Sequence, residues 1–283
     1  MSAEPAAPRQ PWEEDVIFVT GYGRTGTTLM QGLLCASEDV MGVTTEAKIL
    51  RSFIETYAVG LAGWKAYTSD YFADEAAYRS FMRQVLGFYL QHVRTRFATD
   101  KRLLQKVPQR AAAHVSEVAS LLPNAQFIVM VRDPRAALAS QAEFNQHYGR
   151  RLNLAREIGG FVELYSSLVA RLPSMSGRLM LVRYEHLVTS AVATMTQVAE
   201  FLSIRMPANL ESLEWESKRT KALAEASPLD GRAVSAASLT KYRQTLPSRV
   251  LDRLEHERQA IERRIGMSVF YDEGSPNGPA VLL

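Results

Sequence analysis

A short segment near the amino terminus combines residue types that suit phosphate binding. It holds three glycines, one arginine and three threonines, in the order Gly21, Gly23, Arg24, Thr25, Gly26, Thr27 and Thr28. Glycines let the backbone turn sharply and approach a ligand closely. Successive N–H groups in such a turn converge on an anion, and the positive end of a following helix adds to the attraction. The hydroxyls and the guanidinium supply further donors, so the segment predicts a site for a phosphate-like group of a nucleotide.

The residues on either side supply the elements that position this turn. Residues 16–20 form a mostly apolar run, which predicts a buried strand. After the turn, Leu29, Met30, Leu33 and Leu34 recur at helical spacing, which predicts a helix. A strand, a glycine-bearing turn and a helix in this order are typical of phosphate-binding sites. The alternative is a glycine turn that only joins a strand to a helix.

The spacing of the glycines nearly matches the Walker A pattern G-x-x-x-x-G-K-[ST] of ATP- and GTP-binding proteins. Gly21, Gly26 and Thr28 stand at the expected positions, but Thr27 takes the place of the lysine. That lysine normally reaches the terminal phosphates of the nucleotide. Here the cation lies inside the turn, at Arg24, which weighs against a kinase or an NTPase.

A second segment follows the same plan of strand, charged turn and helix. Residues 125–131 are another apolar run of strand length, which ends at Arg132, and Pro134 suits the first turn of a helix. Ser140 lies about two helical turns beyond Arg132. Since open α/β sheets bind ligands at the carboxyl ends of their strands, Arg132 and Ser140 are predicted to face one region there. The alternative role for Arg132 is an ion pair with Asp133 or another neighbouring carboxylate.

Both segments resemble those of the sulfotransferase family. The family's loop for the 5′-phosphosulfate has a basic residue followed by Ser/Thr-Gly-Thr-Thr, and residues 24–28 match it closely. Residues 123–136, together with Ser140, resemble the family's 3′-phosphate segment. The resemblance implies that Arg132 and Ser140 hold the 3′-phosphate of 3′-phosphoadenosine 5′-phosphosulfate (PAPS), and that 3′,5′-ADP (PAP) is the product. It implies that the loop contacts come from Gly23, Arg24, Thr25, Gly26, Thr27 and Thr28.

The same resemblance suggests which residues perform the transfer. Cytosolic sulfotransferases use a histidine in a Lys-Thr-His context, but the matching stretch here is Lys106-Val107-Pro108. A subset that includes tyrosylprotein and heparan-type enzymes uses a glutamate after the second strand, which Glu46 matches. We therefore expect Glu46 to be the general base, with Arg24 and Lys106 as the cations at the sulfate.

Other roles stay open for these side chains. The Glu46 carboxylate would also favour the start of the next helix, and a lysine such as Lys106 usually faces solvent. His114 and His147 are reserve candidates for the base.

Later segments add weaker candidates for contact with the nucleotide. Tyr184 is expected to close a strand over residues 178–184, and it resembles a family residue near the adenosine. Thr240, Lys241 and Arg243 lie in a stretch that resembles a late family segment returning to the nucleotide.

Apolar runs of strand length alternate with helical patterns along the chain. This alternation predicts an α/β fold with a mostly parallel central sheet flanked by helices, and the resemblance makes it a P-loop nucleotide-binding fold of the sulfotransferase type. We expect one domain over residues 15–273, with tails at 1–14 and 274–283. Residues 215–238 are poor in large apolar side chains and are a candidate lid or loop.

The composition excludes several classes of function. Thirty-three basic residues against 30 acidic ones leave a formal charge of +3, which argues against a nonspecific nucleic-acid binder. Cys35 is the single cysteine, so neither a disulfide framework nor a cysteine metal site can form within one chain. No apolar run approaches the roughly 20 residues that cross a bilayer. We expect a cytoplasmic protein that needs no metal and no membrane.

The expected function is transfer of a sulfuryl group from PAPS to a hydroxyl of an acceptor, with a small molecule as the expected partner. The alternatives are a P-loop kinase or NTPase, and a nucleotide-binding module without catalysis. The presence of Arg24, Glu46 and Lys106 together weighs against the module.

Overall fold

The computed structural model describes residues 16–42, 46–98, 100–107, 114–175, 177–206, 210, 239–265, 268, 270 and 281–282. Its sheet has the strand order β2-β3-β1-β4-β5-β6. The strands are β1 (Val16–Gly21), β2 (Val40–Gly42), β3 (Arg102–Lys106), β4 (Gln126–Val131), β5 (Leu179–Arg183) and β6 (Val281–Leu282). Neighbours are parallel from β2 through β5, and β6 runs antiparallel to β5. The predicted mostly parallel α/β sheet is confirmed.

Helices connect and cover the strands. Those of the described residues are α1 (Thr27–Cys35), α2 (Lys48–Ala62), α3 (Glu75–Phe97), α4 (Val115–Leu121), α5 (Pro134–His147), α6 (Leu154–Arg171), α7 (Tyr184–Thr189), α8 (Ala191–Leu202), α9 (Tyr242–Thr245) and α10 (Ser248–Ile265). Short 3-10 turns occur at Thr68–Asp70 and Leu172–Met175. The predicted end of one strand was wrong: the strand that was expected to include Tyr184 ends at Arg183, and Tyr184 begins α7.

The sheet is buried on both faces. Alternate residues of β1 enter different cores, because successive side chains of a strand point to opposite faces. Val16 and Phe18 join the core under α2, α3, α4 and α6, where the rings of Phe18 and Phe127 stack 5.1 Å apart. Ile17 and Val19 join the core under α1, α7 and α8. A parallel sheet with helices on both faces explains why β1 reads as a continuous apolar run rather than an alternating one.

The carboxyl ends of the central strands meet at one edge of the sheet. β1 ends at Gly21, and its neighbours β3 and β4 end at Lys106 and Val131. The chain reaches β3 on one side of β1 and β4 on the other, which opens a crevice above β1 of the kind where α/β proteins bind ligands. The fold therefore brings the glycine-bearing turn, Lys106 and Arg132 to a common edge.

Some predicted segments lie outside the described residues. They include the predicted tail at 1–14, the candidate lid at 215–238, and most of the predicted carboxyl-terminal tail. Within that second tail, Val281–Leu282 pairs with β5 as an edge strand that the sequence pattern did not indicate. The division into one domain and two tails stays a prediction. Among the described residues, no helix is long and apolar enough to span a bilayer.

Candidate active site

The turn between β1 and α1 has a tightly constrained backbone. Gly26 has φ of 90°, and a side-chain carbon placed there would lie 2.4 Å from the Cδ2 atom of Tyr184. Arg24 also has a positive φ, of 66°, which costs a non-glycine residue on the order of 1 kcal/mol. Both residues are therefore held by their surroundings in conformations that shape the turn, and the ring of Tyr184 packs directly against it.

Thr25 stabilises the turn from inside. Its side chain is fully buried, and its hydroxyl donates to the carbonyl oxygen of Tyr22 at 2.7 Å. The hydroxyl of Tyr165, also fully buried, donates to the Met130 carbonyl oxygen at 2.8 Å and accepts from the Tyr22 backbone nitrogen at 3.5 Å. Thr25 is one of the predicted loop contacts; its hydroxyl bonds within the turn and stabilises the loop.

Two arginines and a serine connect the turn to the segment after β4. Arg24 Nε donates to Ser140 Oγ at 3.2 Å, and Arg132 Nη1 donates to the Arg24 carbonyl oxygen at 2.9 Å. The Arg132 guanidinium carbon also lies 4.1 Å from the centre of the Tyr184 ring. The residues predicted from two separate segments of sequence thus lie together.

The two guanidinium groups are close enough to affect each other. Burial lowers the pKa of Arg24, and the positive charge of Arg132 lowers it further. Burial also lowers the pKa of Arg132. No carboxylate among the described residues forms an ion pair with Arg24, while the carboxylate of Asp133 is bound by Arg135 at 2.6 Å. Partly desolvated cations side by side provide favourable binding for an anion with more than one charge.

Lys106, Thr28 and Glu46 form a second cluster at the same edge. Lys106 Nζ donates to Thr28 Oγ1 at 3.0 Å and lies 3.6 Å from Glu46 Oε1. Burial lowers the pKa of Lys106, and the Glu46 carboxylate opposes that shift. The backbone nitrogen of Ala47 donates to the Lys106 carbonyl oxygen at 2.8 Å, which fixes the segment after β2 against β3.

The contacts bear on the alternative roles of these residues. Ala47, not Glu46, is the N-cap of α2, and it makes no side-chain capping bond. The Lys106 side chain is only 6% exposed, so it does not face bulk solvent, whereas the Glu46 side chain is 41% exposed. An accessible carboxylate beside a buried ammonium can accept a proton from a molecule that enters from outside.

A cleft of about 810 Å³ opens at the second cluster and reaches Arg24, whereas Arg132, Ser140 and Tyr184 do not line it. Arg24, Thr27, Thr28, Glu46 and Lys106 line it. Its charged wall consists of residues of α2 and α6 that also line it, namely Arg51, Glu55, Arg156, Glu157 and Glu163. The sequence did not single these out, because a charged residue on an amphipathic helix looks the same whether it faces a cleft or open solvent.

The two reserve candidates for the base differ in their position relative to the cleft. His114 lines the cleft, and its Nδ1 lies 3.9 Å from Glu117 Oε1. His147 is at the end of α5, where its ring packs on Tyr148, and it does not line the cleft.

The late candidates Thr240, Lys241 and Arg243 lie on the outer side of α5. Lys241 Nζ pairs with Glu143 at 2.8 Å, and Tyr242 packs on Ala136 and Ala139. This places their segment against the helix that carries Ser140, but all three side chains are exposed and none lines the cleft.

Glu185 is a buried carboxylate that holds the loop after β4. Its Oε1 accepts from the Asp133 backbone nitrogen at 2.8 Å, and the residue is 2% exposed. Burial raises the pKa of Glu185 to about 7.

Within the described residues, no group of three or more His, Cys, Asp or Glu side chains is arranged to hold a metal ion.

Comparisons with known proteins identify the family of this chain. A model of the sulfotransferase family matches residues 15–208, which is more than half of the chain. A Caenorhabditis briggsae protein described as a putative protein-tyrosine sulfotransferase is 28% identical over 198 residues. That match covers 68% of this chain and 66% of the relative, slightly less than two thirds of its length. The chain belongs to the sulfotransferase family.

Solved structures share the fold. The sulfotransferase domain from the curacin biosynthetic pathway aligns with a TM-score of 0.60 and 16% identity, over 90% of this chain and 99% of that domain. The sulfotransferase domain of the Synechococcus PCC 7002 olefin synthase aligns with a TM-score of 0.56 and 17% identity, over 85% of this chain and 93% of that domain. At these identities the likeness concerns the fold alone.

Proposed function

We propose that this protein is a PAPS-dependent sulfotransferase that transfers a sulfuryl group to the hydroxyl of a small-molecule acceptor. The link between Arg24, Ser140 and Arg132 is the observation that carries the proposal. It joins the glycine-bearing turn to the segment after β4, and so makes two anion-binding points into one site. A donor with phosphate on both the 3′ and the 5′ side of its ribose needs two such points, whereas ATP and GTP need only one.

The remaining residues fit the same donor. The turn has no room for a side chain at Gly26, and Gly26 is the N-cap of α1, whose positive end favours an anion. Tyr184 presents a ring beside this turn and beside Arg132, where a nucleotide base could pack. We assign the 5′-phosphosulfate to residues 23–28 and the 3′-phosphate to Arg132 and Ser140.

PAPS supplies a sulfuryl group on an activated phosphosulfate, and the side chains of the second cluster act on its transfer. Glu46 accepts the proton of the acceptor hydroxyl as the new sulfur–oxygen bond forms. Lys106 and Arg24 neutralise charge on the sulfuryl oxygens and on the oxygen that leaves with PAP. Thr28 holds the Lys106 ammonium in place through its hydroxyl. These cations provide the charge that a metal ion supplies in many phosphoryl transfers.

Nucleotide titration tests the proposal. Calorimetric titration with PAP, ATP and 5′-ADP should show strong preference for PAP, which alone carries the 3′-phosphate. Equal affinity for ATP would support a kinase or NTPase instead. PAPS with a panel of phenols, alcohols and a tyrosine peptide should then yield a sulfated product. The peptide is included because a relative is described as a protein-tyrosine sulfotransferase. Binding of PAP without any transfer would indicate a binding module.

A further inference from the structure

A second cavity lies beside the cleft, on the carboxyl-terminal half of α2. It has a volume of about 490 Å³ and is lined chiefly by aromatic and aliphatic atoms. We call it the aromatic groove and define it by Val59, Tyr67, Tyr71, Phe72 and Tyr78. Three of these side chains are conspicuously exposed for apolar or aromatic residues: Val59 at 59%, Tyr67 at 45% and Tyr71 at 83%.

The groove is held in shape by hydrogen bonds around its rim. The hydroxyl of Tyr67 donates to the Val59 carbonyl oxygen at 2.9 Å, and that of Tyr78 donates to the Thr56 carbonyl oxygen at 3.1 Å. The hydroxyl of Thr68 donates to the Gly60 carbonyl oxygen at 2.8 Å. The aromatic walls are therefore tied to the backbone of α2 in the free protein, and little ordering is left for a ligand to impose.

The groove and the cleft meet at Glu55, which lines both. Glu55 also pairs with Arg51 of the cleft wall at 3.3 Å. Arg51, Glu55 and Val59 follow one another at intervals of four residues, which places them along one face of the helix. From Lys48, beside the base candidate Glu46, this face extends about 17 Å to Val59 at the usual helical rise.

We propose that the aromatic groove receives the apolar end of an elongated acceptor whose hydroxyl reacts at Glu46. The acceptor class is a molecule with a hydroxyl at one end and an extended alkyl or aryl body, which passes Glu55 and lies over Val59 and Tyr71. This proposal rests on the proposed function. The difference in polarity between the two cavities supports it. The cleft wall is charged, so burial of an apolar body away from water is more favourable in the adjoining groove.

Two matched variants test the occupant. Val59→Glu puts a charge into the groove, and Val192→Glu makes the same change at a position of α8 outside the groove that is equally exposed, at 60%. Glutamate is a good helix former, so both variants should fold. The probes are phenol, 4-hexylphenol and 4-dodecylphenol, assayed with PAPS, and kcat/KM is compared along the series. Only the dodecyl chain is long enough to span the roughly 17 Å from Lys48 to Val59.

The expected result is a rise in kcat/KM of roughly twofold or more per methylene in the unmodified protein. Val59→Glu should abolish this rise, whereas Val192→Glu should preserve it. The absence of a chain-length effect would overturn the proposal, and so would equal behaviour of the two variants.

Binding measurements separate this proposal from the proposed function. If no phenol is sulfated, titration of 4-dodecylphenol into the protein, with and without saturating PAP, tests whether the groove binds an alkyl chain. Binding that is weakened at least fivefold by Val59→Glu and not by Val192→Glu supports the groove, and absence of binding refutes it. Failure of PAP to bind counts against the proposed function alone. A shift in sedimentation caused only by Val59→Glu would assign the groove to a second copy of this chain and overturn the proposal.

Discussion

The two sides of the candidate active site are built in different ways. The donor side, which consists of Arg24, Arg132, Ser140 and Tyr184, is joined by hydrogen bonds and a cation–ring contact between residues distant in sequence. The acceptor side consists of Glu46 and the charged wall of α2 and α6, and its side chains are partly exposed. Its ion pair between Arg51 and Glu55 is a contact within a single helix.

This difference indicates how specificity is divided. On the donor side the binding groups are fixed before a ligand arrives, so little free energy is lost in arranging them. On the acceptor side the charges are solvated, and each contributes little by itself. We infer that recognition of the donor depends on a few fixed groups, while recognition of the acceptor depends on the shape of the cleft and of the groove beside it.

Glu46 gives the largest expected effect, because it is the one acceptor-side group assigned to chemistry. Glu46→Gln keeps the size of the side chain and removes its ability to accept a proton. We expect kcat to fall by roughly 10²- to 10⁴-fold, the usual contribution of a general base. Isothermal titration should show unchanged affinity for PAP, because the donor side is intact.

Glu75→Gln is the control for this variant. Glu75 is in the first turn of α3, so its replacement removes a carboxylate from a helix start without touching the cleft. If Glu46 only favoured the start of α2, both variants would lose a similar small amount of stability and keep their activity. Near-normal turnover of Glu46→Gln would remove it from the mechanism.

Arg132 tests the donor side. Arg132→Ala should raise the Kd for PAP by roughly 10- to 100-fold, as expected for loss of charge-assisted hydrogen bonds. Its affinity for 5′-ADP, which has no 3′-phosphate, should change much less, so the preference for PAP should nearly disappear. Arg205→Ala, at an exposed arginine paired with Asp39, should leave both affinities unchanged. Equal weakening of both nucleotides would mean that Arg132 supports the turn rather than the 3′-phosphate.

Gly26 tests how far nucleotide binding on the donor side depends on the backbone conformation of the turn. Gly26→Ala combines a positive φ of 90° with a clash against Tyr184, whereas Gly177→Ala has a positive φ of 74° with open space around it. Strain alone should lower the free energy of unfolding by about 1–2 kcal/mol in both variants. Only Gly26→Ala should also weaken PAP binding, by roughly tenfold if the turn shifts enough to lose one charge-assisted hydrogen bond. Unaltered PAP affinity in Gly26→Ala would show that the turn adapts.

The comparison also explains what could be predicted from the sequence. The strand, the glycine turn and the position of Arg132 and Ser140 beside that turn were predictable, because the carboxyl ends of neighbouring parallel strands meet at one edge of the sheet. Glu46 required a family resemblance, since the ammonium beside it belongs to Lys106, which is distant in sequence on β3. The inward role of the Thr25 hydroxyl was not predictable, because its partners depend on how Tyr22 and Tyr165 pack. The charged cleft wall could not be predicted, because the sequence of an amphipathic helix does not show whether its charged side chains face a cleft or open solvent.

Glu185 tests the donor side through pH. Burial raises its pKa to about 7; the hydrogen bond from the Asp133 backbone nitrogen and the charge of Arg132 oppose the shift, and the Asp133 carboxylate adds to it. An unfolded glutamate titrates near 4.5, so between about pH 4.5 and 7 the folded protein retains a proton that the unfolded chain has lost. This makes the free energy of unfolding decrease as pH rises through that window. Glu185→Gln keeps an acceptor for the Asp133 N–H and removes the titrating carboxyl group. The free energy of unfolding of the variant should therefore depend less on pH. At pH 8 it should exceed that of the unmodified protein by on the order of 1–3 kcal/mol. Urea unfolding at pH 4.5, 6 and 8 measures the difference, and parallel profiles would show that the buried carboxylate does not hold its proton.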